Sequence, residues 1–450
     1  MPIKDTKIKI LFVGDMHLGV LPSHVPPHLS ETRQLKPHDL GPNAAWKRVI
    51  DAAIEHQVHA VALAGDLVHG NNEFFEAFGP LETGLRRLEK AGIPAVAVAG
   101  NHDTKVLPRL ARMIDTLHLL GEGGTWSSKM IHGDGGLEVQ LTGWSFPHPH
   151  VETSPLSVPA PKAHAKHPTL GLLHADLDQS SSRYAPVTTA ELLAAGYSAW
   201  FLGHIHKPDE PVADGRPFYL GSVTGLHPGE TGEHGPVLVT MDSRERMTLQ
   251  RLPLAPLRWE TMDIPCQDLK TEEMDLLPLV LNHINTRAME LGEHLKQTRA
   301  MGFRLNLTGA MDDPAPLRKS LEEILNHPSQ LVTDSRGTVL FIDKISNETT
   351  LRIDLFEVAK SESPEGLLAR TILVLEDETR IIPGVDNPGS MKELLISKGR
   401  QALAEVDGQT PYLVLNDPSA PHDISRQMAQ SGRRALEEIL SRKEASHAAE

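Results

Sequence analysis

Metal-binding side chains follow five short apolar segments of this chain, and they are the residues best able to carry out chemistry. Aspartate, asparagine and histidine recur directly after these segments, and carboxylate, amide and imidazole groups are ligands of divalent metal ions. The five motifs are GDMHLG with Asp15 and His17, GDLVHG with Asp66 and His69, GNHD with Asn101, His102 and Asp103, LLHADL with His174, and GHIH with His204 and His206. Their recurrence predicts one metal site that is assembled from distant parts of the chain.

The spacing and number of these side chains indicate how many metal ions they bind. Asp15 and His17 are two residues apart, as are His204 and His206, and in an extended chain residues two apart face the same way. The candidate ligands exceed the needs of one tetrahedral ion, whereas two ions would use them all if one carboxylate bridges. These ligands are Asp15, His17, Asp66, Asn101, His174, His204 and His206, with Asp66 as the candidate bridge.

The chemistry of the donors favours manganese, with iron or zinc as alternatives. Mixed oxygen and imidazole ligands suit these metals better than calcium or magnesium, which prefer oxygen alone. No thiolate takes part, which disfavours a structural zinc site. A single histidine or aspartate after a strand is usually a turn residue or a satisfied polar group, but five such sites together favour metal binding.

The apolar segments predict the scaffold that positions these ligands. KIKILFV, VHAVALA, IPAVAVA, TLGLLH and SAWFLG are short and β-rich or small and apolar, which is typical of buried strands. Helical patterns separate them, so the fold class is α/β. In such sheets, ligands gather beyond the carboxyl ends of the strands. Glycines precede four of the ligands, at Gly14, Gly65, Gly100 and Gly203, where they permit tight turns or close backbone approach.

The segments between and after these strands carry weaker signals. Residues 107–121 predict a helix, and residues 338–358 predict strands. Residues 20–42 and 147–168 lack periodicity and are predicted loops. A loop as long as 147–168 in a compact domain is usually a lid or a mobile linker.

The pattern of predicted helices and strands changes near residue 255, which predicts more than one domain. The boundaries are residues 1–250 for the domain that carries the metal ligands, 255–360 for a smaller α+β accessory domain, and 361–450 for a helical C-terminal region. An amphipathic helix is predicted at residues 421–446. That helix could dock on a partner or pack on the chain's own domain.

Composition restricts the compartment and the partners. The chain has 450 residues, one cysteine (Cys266) and a formal net charge of -15. A single cysteine excludes an internal disulfide and favours a reducing compartment, and no apolar run reaches the roughly 20 residues that span a bilayer. A cytoplasmic protein with no membrane partner is therefore expected. The acidic charge argues against wide tracking of a phosphate backbone, unless a partner supplies basic surface.

The ordered motifs resemble those of the calcineurin-like metallophosphoesterase superfamily over about residues 8–240. GDMHLG, the histidine at position 69 and the stretch RYAPVTTAELLAAGYSAWFLGHIHKP are similar to the SbcD-type DNA-repair exonucleases, and most of all to their bacterial YhaO-like branch. The protein serine/threonine phosphatases instead carry Asp-Arg after the second motif and GNHE at the third. Val68-His69 and GNHD in this chain disfavour that branch.

The resemblance implies a fold, a ligand assignment and a mechanism. The fold would be two mixed β-sheets packed as a sandwich, flanked by helices. The first metal would take Asp15, His17, Asp66 and His206, and the second Asp66, Asn101, His174 and His204. A hydroxide that bridges the metals would attack phosphorus in line with the leaving oxygen. His102 would be the general acid, with Asp103 holding its other ring nitrogen, and His69 would contact the scissile phosphate or simply cap a turn.

A metal-dependent nuclease that acts on DNA in repair is the function these expectations favour. The resemblance also implies an SbcC-like coiled-coil ATPase as partner and leaves room for a homodimer. A phosphodiesterase for small molecules, such as cyclic nucleotides or nucleotide diphosphate derivatives, would need nearly the same catalytic motifs. The accessory segment at 255–360 and His69 favour the nuclease. A non-catalytic scaffold is disfavoured because every ligand position is filled.

Overall fold

Short strands and helices alternate through the first half of the chain in a computed structural model of the protein. The structure describes residues 6–70, 74–158, 160–267, 269, 275–377, 379–407 and 421–447. The strands, numbered in chain order, are β1 (Lys7–Val13), β2 (Ala60–Leu63), β3 (Ala95–Ala97), β4 (Leu117–Leu119), β5 (Trp126–His132), β6 (Glu138–Trp144), β7 (Thr169–His174), β8 (Ala199–Gly203), β9 (Phe218–Tyr219), β10 (Val237–Asp242), β11 (Met247–Arg251), β12 (Leu257–Pro265), β13 (Ala300–Thr308), β14 (Ala310–Met311), β15 (Val332–Ser335), β16 (Thr338–Asn347) and β17 (Thr350–Leu351). The α-helices are α1 (His28–Thr32), α2 (Pro42–Glu55), α3 (Phe74–Lys90), α4 (Val106–Met113), α5 (Thr189–Ala194), α6 (Leu276–Leu291), α7 (Ala315–Leu325), α8 (Leu355–Ala359), α9 (Pro364–Leu375), α10 (Pro388–Asp407) and α11 (Pro421–His447).

Two units divide these elements. Unit 1 consists of Met1–Met262, Leu277–Leu305 and His327–Ile345, and unit 2 of Asp263–Leu276, Asn306–Asn326 and Ser346–Glu450. Residues 255–360 are therefore shared between the two units and do not form one of them alone. The functional domains drawn from the sequence, with boundaries near 250 and 360, stay a prediction.

Two mixed sheets carry the predicted ligands in unit 1. The first has the strand order β11–β10–β1–β2–β3–β4, in which β1 to β4 run parallel and β10 is antiparallel to β1. The second has the order β5–β6–β7–β8–β9, in which β6 to β9 run parallel. Parallel strands end at the same edge of a sheet, so β1, β2 and β3 deliver their loops together, as do β7 and β8.

The two sheets pack face to face through their apolar side chains. One buried cluster joins Ile10 and Phe12 of β1 to Leu172 of β7 and Phe201 of β8. The rings of Phe12 and Phe201 stack with their centroids 3.6 Å apart. Each such fully buried ring contributes roughly 1.5–3 kcal/mol through its removal from water. The predicted sandwich of two mixed sheets is therefore confirmed.

Helices cover the outer faces of both sheets. Trp46 and Val49 of α2 and Leu85 of α3 pack with Val61 of β2 on the outer face of the first sheet. On the outer face of the second sheet, α5 places Leu192 in the cluster around Trp200. The predicted flanking helices are therefore also confirmed, and the ligand loops emerge from a layered scaffold.

A third sheet, most of whose residues belong to unit 1, has the strand order β12–β13–β16–β15. Its Trp259 and Phe341 pack with Leu29, Leu35 and Leu40 in one buried cluster. The last three residues belong to the segment 20–42, which the sequence predicts to be a loop. That prediction is wrong in part, because this segment contains α1 and buries three leucines against the sheet.

The C-terminal helices pack on one another within unit 2. Leu436 of α11 lies in a buried cluster with Ile372 and Leu373 of α9, and Ile424 of α11 is also buried. The amphipathic helix predicted at 421–446 is thus confirmed as α11. Its apolar stripe packs on the chain's own α9, which is the second of the two alternatives drawn from the sequence.

Two elements differ from the sequence prediction. The predicted helix 107–121 stops at Met113, where Ile114 takes an extended backbone (φ −118°, ψ 90°), and Leu117 then pairs with Ala95 as β4. The segment 338–358, predicted to form strands, contains β16 and β17 but ends in α8, which begins after Asp354 because the carboxylate of that residue accepts hydrogen bonds from main-chain N–H groups.

Among the residues that the structure describes, no helix combines the length and the apolar composition that crossing a lipid bilayer requires.

Candidate metal centre

The first two ligand loops are joined through their main chains. The strands that precede them, β1 and β2, run parallel, with Val13 opposite Leu63. Beyond the strand ends, the N–H groups of Met16 and His17 donate to the Asp66 carbonyl at 3.1 and 2.9 Å. His17 and Asp66 both take left-handed backbone conformations, with φ of 49° and 48°. The chain turns sharply at both ligands, and these turns, rather than an extended strand, set the direction of their side chains.

Two groups of candidate metal ligands meet at this edge. In each group the ligand atoms lie within 4.8 Å of one another. The first group is Asp15, His17 and His206, and the second is Asp15, Asp66 and His174. The Nε2 atoms of His17 and His206 lie 2.9 Å apart. The structure thus brings five of the predicted ligands together.

Asp66 lies where a bridging ligand should lie. Its Oδ2 atom is 3.3 Å from Nε2 of His174 and 3.9 Å from Nε2 of His17, so one oxygen faces both groups. Asp15 belongs to both groups as well. The two carboxylates therefore lie between the imidazoles of the first group and that of the second. Carboxylates and imidazoles together are suitable ligands for a pair of divalent cations such as manganese, iron or zinc.

Asn101 and His204, the two remaining predicted ligands, both lie near His174 of the second group. The Asn101 Oδ1 atom lies 2.9 Å from Nε2 of His174, which places the amide oxygen at the second group. The His204 ring lies 5.1 Å from the His174 ring, and its main-chain N–H donates to both carboxylate oxygens of Asp15. His204 also has a left-handed backbone (φ 103°), so this pair too departs from the extended geometry expected of it.

The orientation of His174 suits a neutral imidazole ligand. Its Nδ1 lies 3.0 Å from the Ala64 carbonyl, which only an N–H can satisfy. A proton on Nδ1 leaves the lone pair of Nε2 directed at Asp66 and Asn101. A backbone carbonyl that fixes the tautomer of a histidine in this way is common behind metal ligands.

The charges at the site favour bound cations. Burial lowers the pKa of His17 to about 3, so this ring is neutral at pH 7. Burial also lowers the pKa of His174, but Asp66 and Asp15 more than offset this and raise it to about 9. Burial raises the pKa of Asp66, but the adjacent His174 outweighs burial and leaves that pKa below its usual value. The pocket therefore stabilises positive charge between its carboxylates, and the donor set fits two metal ions.

His69 and His102 lie beside the first group. Nδ1 of His69 is 3.3 Å from Nδ1 of His17, and the rings of His69 and His102 stack at 5.2 Å. His102 is exposed, whereas its main-chain N–H donates to Oδ1 of Asp66 at 3.0 Å. The ring of His102 thus lies at the exposed side of the site while its backbone holds the candidate bridge.

Asp103 does not hold the ring of His102, and that expectation is wrong. Its carboxylate accepts the main-chain N–H groups of Leu67 at 2.7 Å and Gly100 at 2.8 Å. Nδ1 of His102 lies instead 3.0 Å from the carbonyl of His69. Burial raises the pKa of Asp103 to about 7, and the negative charge of Asp66 contributes to the same shift. Asp103 ties the second loop to the third and acts on the site through their backbones.

Two acidic residues escaped the sequence prediction. Asp176 places Oδ1 3.2 Å from Nε2 of His204, and Glu230 places Oε1 2.9 Å from Nδ1 of His206. Asp176 follows His174 by two residues, and this spacing could have suggested it. No spacing or motif distinguishes Glu230 from the other acidic residues of the chain.

Glycine is required before Asn101, and its replacement gives a first test. A Cβ atom at Gly100 would lie 2.1 Å from Oδ1 of Asp66, so Gly100→Ala must displace the candidate bridge. We expect this variant to bind Mn²⁺ about 10–100-fold more weakly, as is typical when support of a ligand is lost. Isothermal titration calorimetry measures this. The control is Gly79→Ala in α3, where a Cβ meets no atom within 4 Å. Unchanged Mn²⁺ affinity in Gly100→Ala would contradict the assignment.

The chain is similar in sequence to known phosphoesterases and DNA-repair proteins. The sequence model described as calcineurin-like phosphoesterase matches residues 8–208. The uncharacterized metallophosphoesterase YhaO of Bacillus subtilis is 27% identical over 256 residues, which cover 52% of this chain and 57% of that protein. The DNA double-strand break repair protein Mre11 of Haloferax volcanii is 33% identical over 114 residues, 25% of this chain and 23% of the relative. A solved structure of a dimetal phosphatase from Danio rerio is 11% identical to this chain, with a TM-score of 0.36. The match covers 54% of this chain and 95% of the phosphatase chain.

The match over residues 8–208 confirms, for that part of the chain, two predictions drawn from the motifs: the superfamily and the class of enzyme, a metal-dependent hydrolase. The alignments span less than two thirds of the length of YhaO and of the Haloferax protein. The narrower SbcD-type assignment, the substrate and the partners therefore stay predictions.

Proposed function

Because residues 8–208 belong to the calcineurin-like phosphoesterase family, we propose that this protein is a two-metal phosphodiesterase that cuts DNA. One observation carries the proposal: Oδ2 of Asp66 faces the imidazoles of both His17 and His174, so the two ligand groups share a carboxylate. That arrangement supports a pair of adjacent cations rather than two separate sites.

The predicted ligands divide between two metals, most suitably Mn²⁺. Asp15, His17, Asp66 and His206 would hold the first ion, and Asp66, Asn101, His174 and His204 the second. When bound, such ions neutralise the nonbridging oxygens of a phosphodiester and lower the pKa of a water molecule toward 7.

The side chains around the ligands would carry the remaining steps. Nδ1 of His102 donates to the carbonyl of His69, which leaves Nε2 of a protonated ring to give its proton to the leaving oxygen. His69 lies against His17 and the ring of His102, and would contact the scissile phosphate. Asp103 would keep both loops in place through Leu67 and Gly100.

DNA is the proposed substrate because of the relatives and the motifs. The alignments to Mre11 proteins named for double-strand break repair, together with His69 and the GHIH segment, support a nuclease acting in repair. The formal charge of -15 suits a subunit whose affinity for DNA depends on a basic partner. We propose an SbcC-like coiled-coil ATPase for that role, a second copy of this chain as a further partner, and a cytoplasmic location.

The test compares substrates under one set of conditions. The wild-type chain is incubated with Mn²⁺ and end-labelled linear DNA, and in parallel with cyclic nucleotides and nucleotide diphosphate derivatives. We expect Mn²⁺-dependent digestion of DNA that stops when EDTA removes the metal, with little hydrolysis of the small esters. The Asp66→Asn protein, purified identically, controls for contaminating nucleases. Intact DNA together with rapid hydrolysis of a small diester would contradict the nuclease and favour the small-molecule phosphodiesterase.

A further inference from the structure

We infer that Glu230 is a positioning residue that fixes the ring of His206 and thereby sets the affinity of the first of the two metal sites. This inference rests on the proposed two-metal function and assigns a role to a residue outside its ligand set. Glu230 lies in the turn between β9 and β10, 24 positions after His206 in the chain.

The contact is specific for one ring nitrogen. Oε1 of Glu230 lies 2.9 Å from Nδ1 of His206. The other nitrogen, Nε2, points the opposite way and lies 2.9 Å from Nε2 of His17, inside the ligand group that also contains Asp15. An N–H at Nδ1 that donates to the carboxylate leaves the lone pair of Nε2 for a cation.

The carboxylate is itself held in place. Its second oxygen, Oε2, accepts the hydroxyl of Ser222 at 3.0 Å and the main-chain N–H of Leu226 at 2.9 Å. The buried ring of His234 lies beside them, with Nδ1 2.9 Å from the carbonyl oxygen of Ser222 and Nε2 3.2 Å from that of Glu230. Most of the Glu230 side chain is buried, at 13% exposure. A side chain fixed at both oxygens loses little freedom when it orients its partner, which is the condition for preorganisation.

The turn at residues 219–222, which follows the GHIH segment, belongs to the same hydrogen-bond network. Residues 219–222 read Tyr-Leu-Gly-Ser, and the last of them donates to Glu230. The next residue, Val223, donates its main-chain N–H to the Asp15 carbonyl. The turn therefore connects a ligand of the first group to the carboxylate that orients another ligand of the same group.

Glu230→Gln is the variant that tests the role, because it keeps the shape and reverses one hydrogen bond. The N–H of Leu226 cannot turn away, so it holds the amide oxygen at the position of Oε2. The amide NH₂ then faces Nδ1 of His206 and requires that nitrogen to accept. The proton of the neutral ring moves to Nε2, where it blocks metal binding.

The experiment titrates Mn²⁺ into the full-length chain by calorimetry and counts the ions bound. Wild type should bind two ions. Glu230→Gln should bind one of them with unchanged affinity and the other about 10–100-fold more weakly. Glu230→Asp, which keeps an acceptor, should recover part of the loss. The thermal unfolding of Glu230→Gln without added metal should match wild type, since the substitution removes no packing.

A neighbouring glutamate provides the matched control. Glu233 accepts a hydrogen bond from Nδ1 of His294 at 2.7 Å and, among the described residues, contacts no candidate ligand. Glu233→Gln should therefore bind both ions as wild type does. Two ions bound by Glu230→Gln with wild-type affinity would overturn the inference alone, as would equal weakening of both. A wild-type chain that binds no Mn²⁺ would overturn the proposed function as well.

Discussion

Asp66→Asn should abolish Mn²⁺ binding at micromolar concentrations and lower the rate of DNA cutting at least about 10³-fold, since a catalytic metal contributes several kcal/mol. The change removes one negative charge and leaves the volume of the side chain unchanged. Oδ2 of Asp66 faces both His17 and His174, so the loss reaches both ligand groups. Calorimetry with Mn²⁺ and digestion of end-labelled DNA measure the two effects.

Asp51→Asn is the control for a lost carboxylate. Asp51 lies on α2, is half exposed and pairs with Arg87, so its replacement should change neither Mn²⁺ binding nor digestion. Exposed pairs of this kind contribute only about 0–1 kcal/mol. Full digestion by Asp66→Asn with two ions still bound would remove Asp66 from the bridge. One ion retained would assign it to a single metal.

The strands and their terminal ligands could be predicted because two independent signals coincide. Each apolar segment reads as a buried strand, and each is followed by side chains that bind metals. In a parallel sheet the ends of neighbouring strands meet at one edge, so the convergence of Asp15, Asp66 and Asn101 follows from order along the chain. The resemblance to a known family adds the face-to-face packing of the sheets, which apolar segments alone do not specify.

The geometry of the ligand pairs could not be predicted from their spacing. Residues two apart share a side only in extended chain, and His17 and His204 have φ of 49° and 103°. His17 joins the first group, and the ring of His204 approaches that of His174, because the chain turns at the end of each strand. A left-handed conformation is uncommon for residues other than glycine and costs free energy, which clusters of ligands and their hydrogen bonds offset.

Residues that act through a ligand leave little trace in sequence. Glu230 reaches His206 only because the turn between β9 and β10 folds back on the GHIH loop. The apolar pattern likewise does not distinguish helix from strand where a short apolar run fits both periods. Leu117 and Leu119 continue the helical pattern of α4, yet pairing with β3 determines their conformation.

His102→Asn should keep both metal ions and lose about 10²–10⁴-fold in the rate of DNA cutting, the range typical of a general acid. Metal binding should survive because the contact of residue 102 with Oδ1 of Asp66 comes from the main chain, which the substitution does not alter. Calorimetry with Mn²⁺ and single-turnover digestion of end-labelled DNA separate the two properties. His118→Asn, at an exposed position of β4, is the control.

The choice of leaving group distinguishes a proton donor from a residue that merely shapes the site. The alkoxide that leaves DNA is strongly basic and needs a proton, whereas p-nitrophenolate departs without one. A general acid at position 102 therefore matters for DNA and hardly at all for bis(p-nitrophenyl) phosphate. We expect His102→Asn to hydrolyse the chromogenic diester at nearly the wild-type rate. Equal losses on both substrates would assign His102 to binding or orientation, and its hydrogen bond to the His69 carbonyl would then be the contact of interest.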